Sequence, residues 1–123
     1  MSSKTILIVD DSYSLRQTVA LALRGAGYEV LEAVDGKDAL TKLDGRKINL
    51  VISDVNMPNM DGISFVKAAK LLPAYRFTPI IMLTTEADKT KVLEGKAAGV
   101  RAWVVKPFQP PALLDAVAKL IAP

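Results

Sequence analysis

The sequence predicts an α/β fold built on a parallel β-sheet, and three observations predict it. Five short apolar runs recur along the 123 residues, at Thr5–Val9, Tyr28–Ala33, Leu50–Ser53, Pro79–Leu83 and Arg101–Val105. Four of the runs are almost continuously apolar and rich in Ile and Val, as strands buried on both faces are. Each run is followed by a stretch with helical periodicity, and strict alternation of strand and helix means a parallel sheet with helices on both faces.

After the first run, Leu15, Val19, Ala22, Leu23 and Ala26 share one helical face, and Gly25 and Gly27 supply a stop. The second run alternates (Glu29, Val30, Leu31, Glu32), which suits an edge strand. Asp35 and Asp38 open a second helix that turns Leu40 and Leu43 inward. A third helix follows Gly62, with Ile63, Val66, Ala69 and Leu72 on its face and Pro73 closing it. A fourth begins near Asp88 and uses Val92, Leu93 and Ala97, with Gly99 beyond. The last opens at Pro110-Pro111, where proline suits a first turn, and buries Leu114, Val117, Leu120 and Ile121.

Composition narrows the chemistry. The length fits a single domain spanning 1–123, and no linker, repeat or low-complexity segment interrupts it. There is no cysteine, which excludes disulfides and thiolate chemistry, and no histidine, which excludes a histidine base and imidazole metal sites. A metal here must be held by oxygen, which favours hard cations. The formal charge of +3 is mild, and the densest basic stretch (Lys89, Lys91, Lys96) is broken by Glu94, so no nucleic-acid footprint is expected. Met1-Ser2-Ser3-Lys4 leads directly into the first run without a signal-peptide core, and no segment approaches the ~20 apolar residues of a membrane span. A soluble cytoplasmic protein is the expectation, without membrane or nucleic-acid partners.

The informative pattern lies where the strands end. The first run ends in Asp10-Asp11, the third in Asp54, the fourth in Thr84 and the fifth in Lys106. Ligands of open parallel sheets bind in the crevice outside the carboxyl ends of the strands. Taken singly, each residue has a bland explanation as a helix cap, a turn residue, a loop cap or a solvated lysine. Together they are expected to converge on one pocket. Three carboxylates there would repel, each pair by about 4 kcal/mol at ~4 Å and an effective dielectric near 20. A divalent, oxygen-loving ion such as Mg²⁺ offsets that, with Mn²⁺ as a substitute. With Lys106 the ion would cradle a phosphoryl group, and an aspartate can attack phosphorus to give an aspartyl-phosphate.

These residues carry a resemblance. Val9-Asp10-Asp11-Ser12, the run from Ile52 to Gly62 through Asp54-Val55-Asn56-Met57-Pro58, Leu83-Thr84, and Val104-Val105-Lys106-Pro107-Phe108 are together specific. The chain resembles the receiver domain of bacterial two-component response regulators over nearly its whole length, and among them the single-domain chemotaxis type. The resemblance implies a doubly wound, flavodoxin-like sheet of order 2-1-3-4-5 with five helices. It implies Asp54 as phosphoacceptor, and Asp10, Asp11, Asp54 and the Asn56 carbonyl around Mg²⁺. Thr84 and Lys106 would meet phosphoryl oxygens, Trp103 would turn inward when Thr84 shifts, and Pro107 would follow a cis peptide bond. Asn56 and Glu86 would set the lifetime of the acyl phosphate.

Three departures stand out: Trp103 where the family usually has Tyr or Phe, Val55 where the chemotaxis type often has Trp, and a basic balance where many receivers are acidic. The implied partners are a sensor histidine kinase or phosphotransfer protein and a downstream target on the surface of the fourth helix, fifth strand and fifth helix. That target would be a flagellar motor switch, or the chain would act as a relay intermediate or phosphate sink. A monomer is expected before phosphorylation. Aspartyl phosphatases place a second aspartate where this chain has Asn56, which argues against turnover of an outside substrate. The loop after the first strand lacks the glycine-rich cradle of a nucleotide site. The only expected catalysis is the chain's own phosphorylation and dephosphorylation.

Overall fold

A computed structural model describes residues 4–85 and 89–121. Its strands are β1 (Thr5–Val9), β2 (Glu29–Ala33), β3 (Leu50–Asp54), β4 (Ile80–Thr84) and β5 (Ala102–Val105). They form one sheet in the order β2-β1-β3-β4-β5, parallel throughout. The helices are α1 (Tyr13–Gly25), α2 (Gly36–Lys42), α3 (Gly62–Lys70), α4 (Lys89–Ala98) and α5 (Pro110–Leu120). A 3₁₀ turn at Pro73–Tyr75 leads into β4. The fold is the expected flavodoxin-like α/β sheet with five helices.

Period-two alternation along the strands splits the core into two layers. Leu7, Val9, Val51 and Met82 face α2, α3 and α4, packed with Ile63, Phe65 and Val66. Ile6, Ile8, Leu50, Ile52, Ile81 and Leu83 face α1 and α5, packed with Val19, Leu23, Leu113 and Val117. β1, β3 and β4 are buried on both faces, and that burial made them read as unbroken apolar runs.

The structure corrects several expectations about faces. The fifth run is not buried on both sides: β5 is the second edge strand, and Val105 is exposed. Leu93 and Ala97 point outward from α4, because among its residues with described burial the buried position is Gly95. The largest side chains therefore misplace its stripe. Ala26 is exposed beyond the end of α1. In α5 it is Leu113, beside Val117, that is fully buried, while Leu114, Leu120 and Ile121 are only partly so. Phe65, the bulkiest fully buried residue, and Tyr75 were not singled out by periodicity. The α4 start expected at Asp88 lies outside the described residues.

Candidate functional site

β1 delivers Asp10 and Asp11 at its carboxyl end, and β3 ends on Asp54 itself. These strands are neighbours although a helix-strand-helix segment separates them in sequence, so the sheet places the carboxylates side by side. Ligand atoms from Asp10, Asp11 and Asp54 all lie within 4.8 Å of one another. β5 brings Lys106 to the same rim, its Nζ 3.1 Å from Asp54 Oδ1 and 3.9 Å from Asp10 Oδ2. Thr84 closes β4 beside Val105, and its carbonyl accepts from the Lys106 amide at 2.6 Å. The sheet thus brings together all five polar residues that the strand ends pointed to.

Local chemistry fixes these groups. Ser12 caps α1 by accepting from the Leu15 amide, while its own amide donates to Asp10 Oδ1 at 2.8 Å. Asp54 Oδ1 accepts from the Val55 amide at 2.8 Å. Gly62 opens α3 against the backbone of Asp54, where any Cβ would collide with the Asp54 carbonyl oxygen. The Lys106–Pro107 peptide bond is cis. Asn59 takes φ 67°, a left-handed conformation that asparagine tolerates, and donates to Asp35 Oδ2 at 2.7 Å. That bond straps the loop after β3 to the start of α2.

The electrostatics are uneven. Asp10 is 1% exposed, and its Oδ2 finds no hydrogen bond among the described residues. Burial raises its carboxyl above the ordinary value, and the Asp54 charge adds to that against the opposing Ser12 amide. A buried carboxylate oxygen without a donor is costly. A cation held by Asp10, Asp11 and Asp54 satisfies it, and an all-oxygen donor set fits a hard divalent ion. The residues present therefore fit Mg²⁺.

Other expected residues fall differently. Asn56 is exposed, and its Oδ1 accepts from Lys91 Nζ on α4 at 2.9 Å. Trp103 is part-buried and packs against the α3–α4 layer of the core. Glu86 lies outside the described residues.

Sequence reasoning missed two supports. Arg16, 9% exposed, donates to the Asp10 carbonyl at 2.7 Å and pairs with Glu32 Oε1 at 2.9 Å. Its place among the apolar positions of α1 was the available signal, since a buried arginine requires partners. Lys91 had no such signal, because its contact crosses from α4 to the loop after β3.

The family model for the response regulator receiver domain matches residues 6–118. The chain belongs to this family. The receiver is 42% identical to the chemotaxis protein CheY1 of Helicobacter pylori over 112 residues, covering 89% of this chain and 90% of that protein. It is 35% identical to the chemotaxis protein CheY of Pseudomonas aeruginosa over 116 residues, covering 94% of each. Among solved structures, the chemotaxis response regulator CheY4 of Vibrio cholerae superposes with a TM-score of 0.92 at 48% identity, covering 98% of this receiver and all of that chain. Among the described residues no helix is long and apolar enough to cross a membrane.

Proposed function

We propose that this receiver accepts a phosphoryl group on Asp54 from a phosphohistidine of a sensor kinase or phosphotransfer protein, and that it acts in chemotaxis. The observation that carries the reading is the meeting of Asp10, Asp11, Asp54 and Lys106 at one rim of the sheet. An Asp54 carboxylate oxygen attacks phosphorus, the P–N bond of the donor breaks, and the imidazole nitrogen leaves with the electron pair and takes up a proton. Asp10, Asp11, Asp54 and the Asn56 carbonyl would hold Mg²⁺, which would supply neutralisation of charge on the phosphoryl oxygens. Lys106 pairs with one phosphoryl oxygen and the Thr84 hydroxyl donates to another. Asn56 and Glu86 govern the approach of water and hence the lifetime of the acyl phosphate.

The output is a population shift. Movement of Thr84 and Trp103 re-forms the α4–β5–α5 face, and a partner that prefers that face binds it. Shifting the ratio of states from 1:99 to 99:1 takes about 5.5 kcal/mol, within reach of a few charge-assisted hydrogen bonds of ~1.5–3 kcal/mol each. The chain is a single receiver domain that acts as a signalling protein and not on an outside substrate, works in the cytoplasm and is monomeric before phosphorylation. The chemotaxis relatives favour a flagellar motor switch as target over a relay or phosphate-sink role. Incubation with acetyl phosphate and Mg²⁺ is expected to add one phosphoryl group by intact mass, and Asp54→Asn to abolish it. Retained labelling in that variant would place the acceptor elsewhere.

A further inference from the structure

Helix α4 carries a glycine in its interior, where glycine weakens a helix relative to alanine. Gly95 is the buried position among the described residues of α4, and its backbone faces β5 rather than water. A Cβ placed there would run into the far edge of the Trp103 ring, overlapping Cη2 and lying 2.7 Å from Cζ2. Ile63 Cδ1 of α3 lies 3.4 Å from the same point. The missing side chain thus leaves a notch, and the indole fills it.

Among the described residues nothing polar holds the ring there. Its Nε1 is buried without a hydrogen-bond partner among the described residues. A tryptophan N–H that is buried usually finds an acceptor, so the ring's place here is set by shape. β5 links that shape to the site. Lys106, which pairs with Asp54, lies three residues beyond Trp103, and Val105 between them pairs with Thr84. A movement of β5 at the phosphoacceptor is therefore passed to the α4 backbone through a ring that fills the gap.

We propose that Gly95 is a positioning residue: with Trp103 it forms a size-matched pair that ties α4 to β5, so that ring and helix move as one body. The pairing sets the presentation of Leu93 and Val105, the large apolar side chains that α4 and β5 expose. Its regulatory meaning rests on the phosphoacceptor reading; the pairing itself does not.

The test is a double-mutant cycle of Gly95→Ala and Trp103→Phe, with melting temperature as the first measurement. Helix propensity alone makes Gly95→Ala stabilising. The notch predicts the opposite beside Trp103, a fall of roughly 4 °C, with the indole displaced: red-shifted emission and stronger acrylamide quenching. In the Trp103→Phe background the shorter ring leaves room, and Gly95→Ala is expected to raise the melting temperature. A rise in both backgrounds, with unchanged emission from the tryptophan-containing chain, would overturn the pairing.

The coupling is read by amide exchange over residues 89–98 before and after acetyl phosphate with Mg²⁺. In Gly95→Ala, phosphoryl uptake by intact mass is expected to persist while the exchange response of α4 shrinks at least twofold. An undiminished response would overturn the coupling. Absence of uptake in the unaltered chain would instead refute the phosphoacceptor reading, and the sign reversal would still decide the pairing.

Discussion

At the amino end of the sheet the polar groups are satisfied from within. Asn49 Oδ1 accepts from the Thr5 amide at 2.9 Å, and the Tyr75 hydroxyl accepts from the Gly45 amide while donating to the Arg46 carbonyl at 2.7 Å. Lys70 spans the turn before β4 and donates to the Thr78 and Arg76 carbonyls at 2.6 and 3.1 Å. Arg46 holds the Asp44 carboxyl well below the usual carboxylate range. At the carboxyl end three carboxylates crowd within 4.8 Å, one lysine serves two of them, and Asp10 Oδ2 has no donor among the described residues. One end holds the fold together. The other crowds carboxylates whose charge one lysine does not balance, and the proposed cation and phosphoryl group would complete it.

The largest effect that can break this contrast concerns the metal. Mg²⁺ at a hundred times its dissociation constant is expected to stabilise the native chain by about 2.7 kcal/mol. Asp10→Asn is expected to remove most of that gain while raising the melting temperature of the metal-free protein, because it deletes a buried charge. Thermal melts with and without Mg²⁺ decide it; an Asp10→Asn chain less stable than the native one without metal would mean that the rim is not strained. At the opposite end, Tyr75→Phe leaves the Gly45 amide and Arg46 carbonyl unpaired and is expected to cost about 1–2 kcal/mol in urea unfolding. Phosphoryl uptake should be unchanged there, and a loss of uptake would mean that the two ends are not independent.

The smallest effect compares two carboxylates near the same rim. Asp35 caps α2, and the Asp38 amide, with Asn59 as second donor, holds its carboxyl below the ordinary value. The folded state therefore favours its charged form. That contribution is present at neutral pH and is lost as pH falls from about 4 through the depressed folded value. Asp35→Asn is expected to flatten the acid limb of the stability curve, and an unaltered limb would remove Asp35 from the account. Asp10 lies on the other side of the contrast, since burial raises its carboxyl and the folded state resists its charge.

The fold was legible because strands and helices differ in period, and because β1, β3 and β4, buried on both sides, need apolar residues at every position. The site was legible because each of its side chains stands at the end of a strand run, whether central or at the edge, so finding the runs located Asp10, Asp54, Thr84 and Lys106. The faces of α4 and the edge position of β5 were not legible. A glycine carries no hydrophobic signal, and whether a strand has a second neighbour is decided by its partners. Lys91 escaped for a related reason, since its contact crosses from one element to another, whereas Arg16 left a signal in its place among the apolar positions of α1.

Sequence alone determined the element order, the chemistry gathered at the strand ends and the exclusion of histidine and cysteine chemistry, because local periodicity and residue type carry all three. Only the tertiary structure decided that the carboxylates lie within reach of one another, one oxygen having no hydrogen-bond donor among the described residues, and that Gly95 and Trp103 fit together. Distances between elements depend on the packing of the whole sheet, and a shape left by a missing side chain has meaning only once its neighbour is in place.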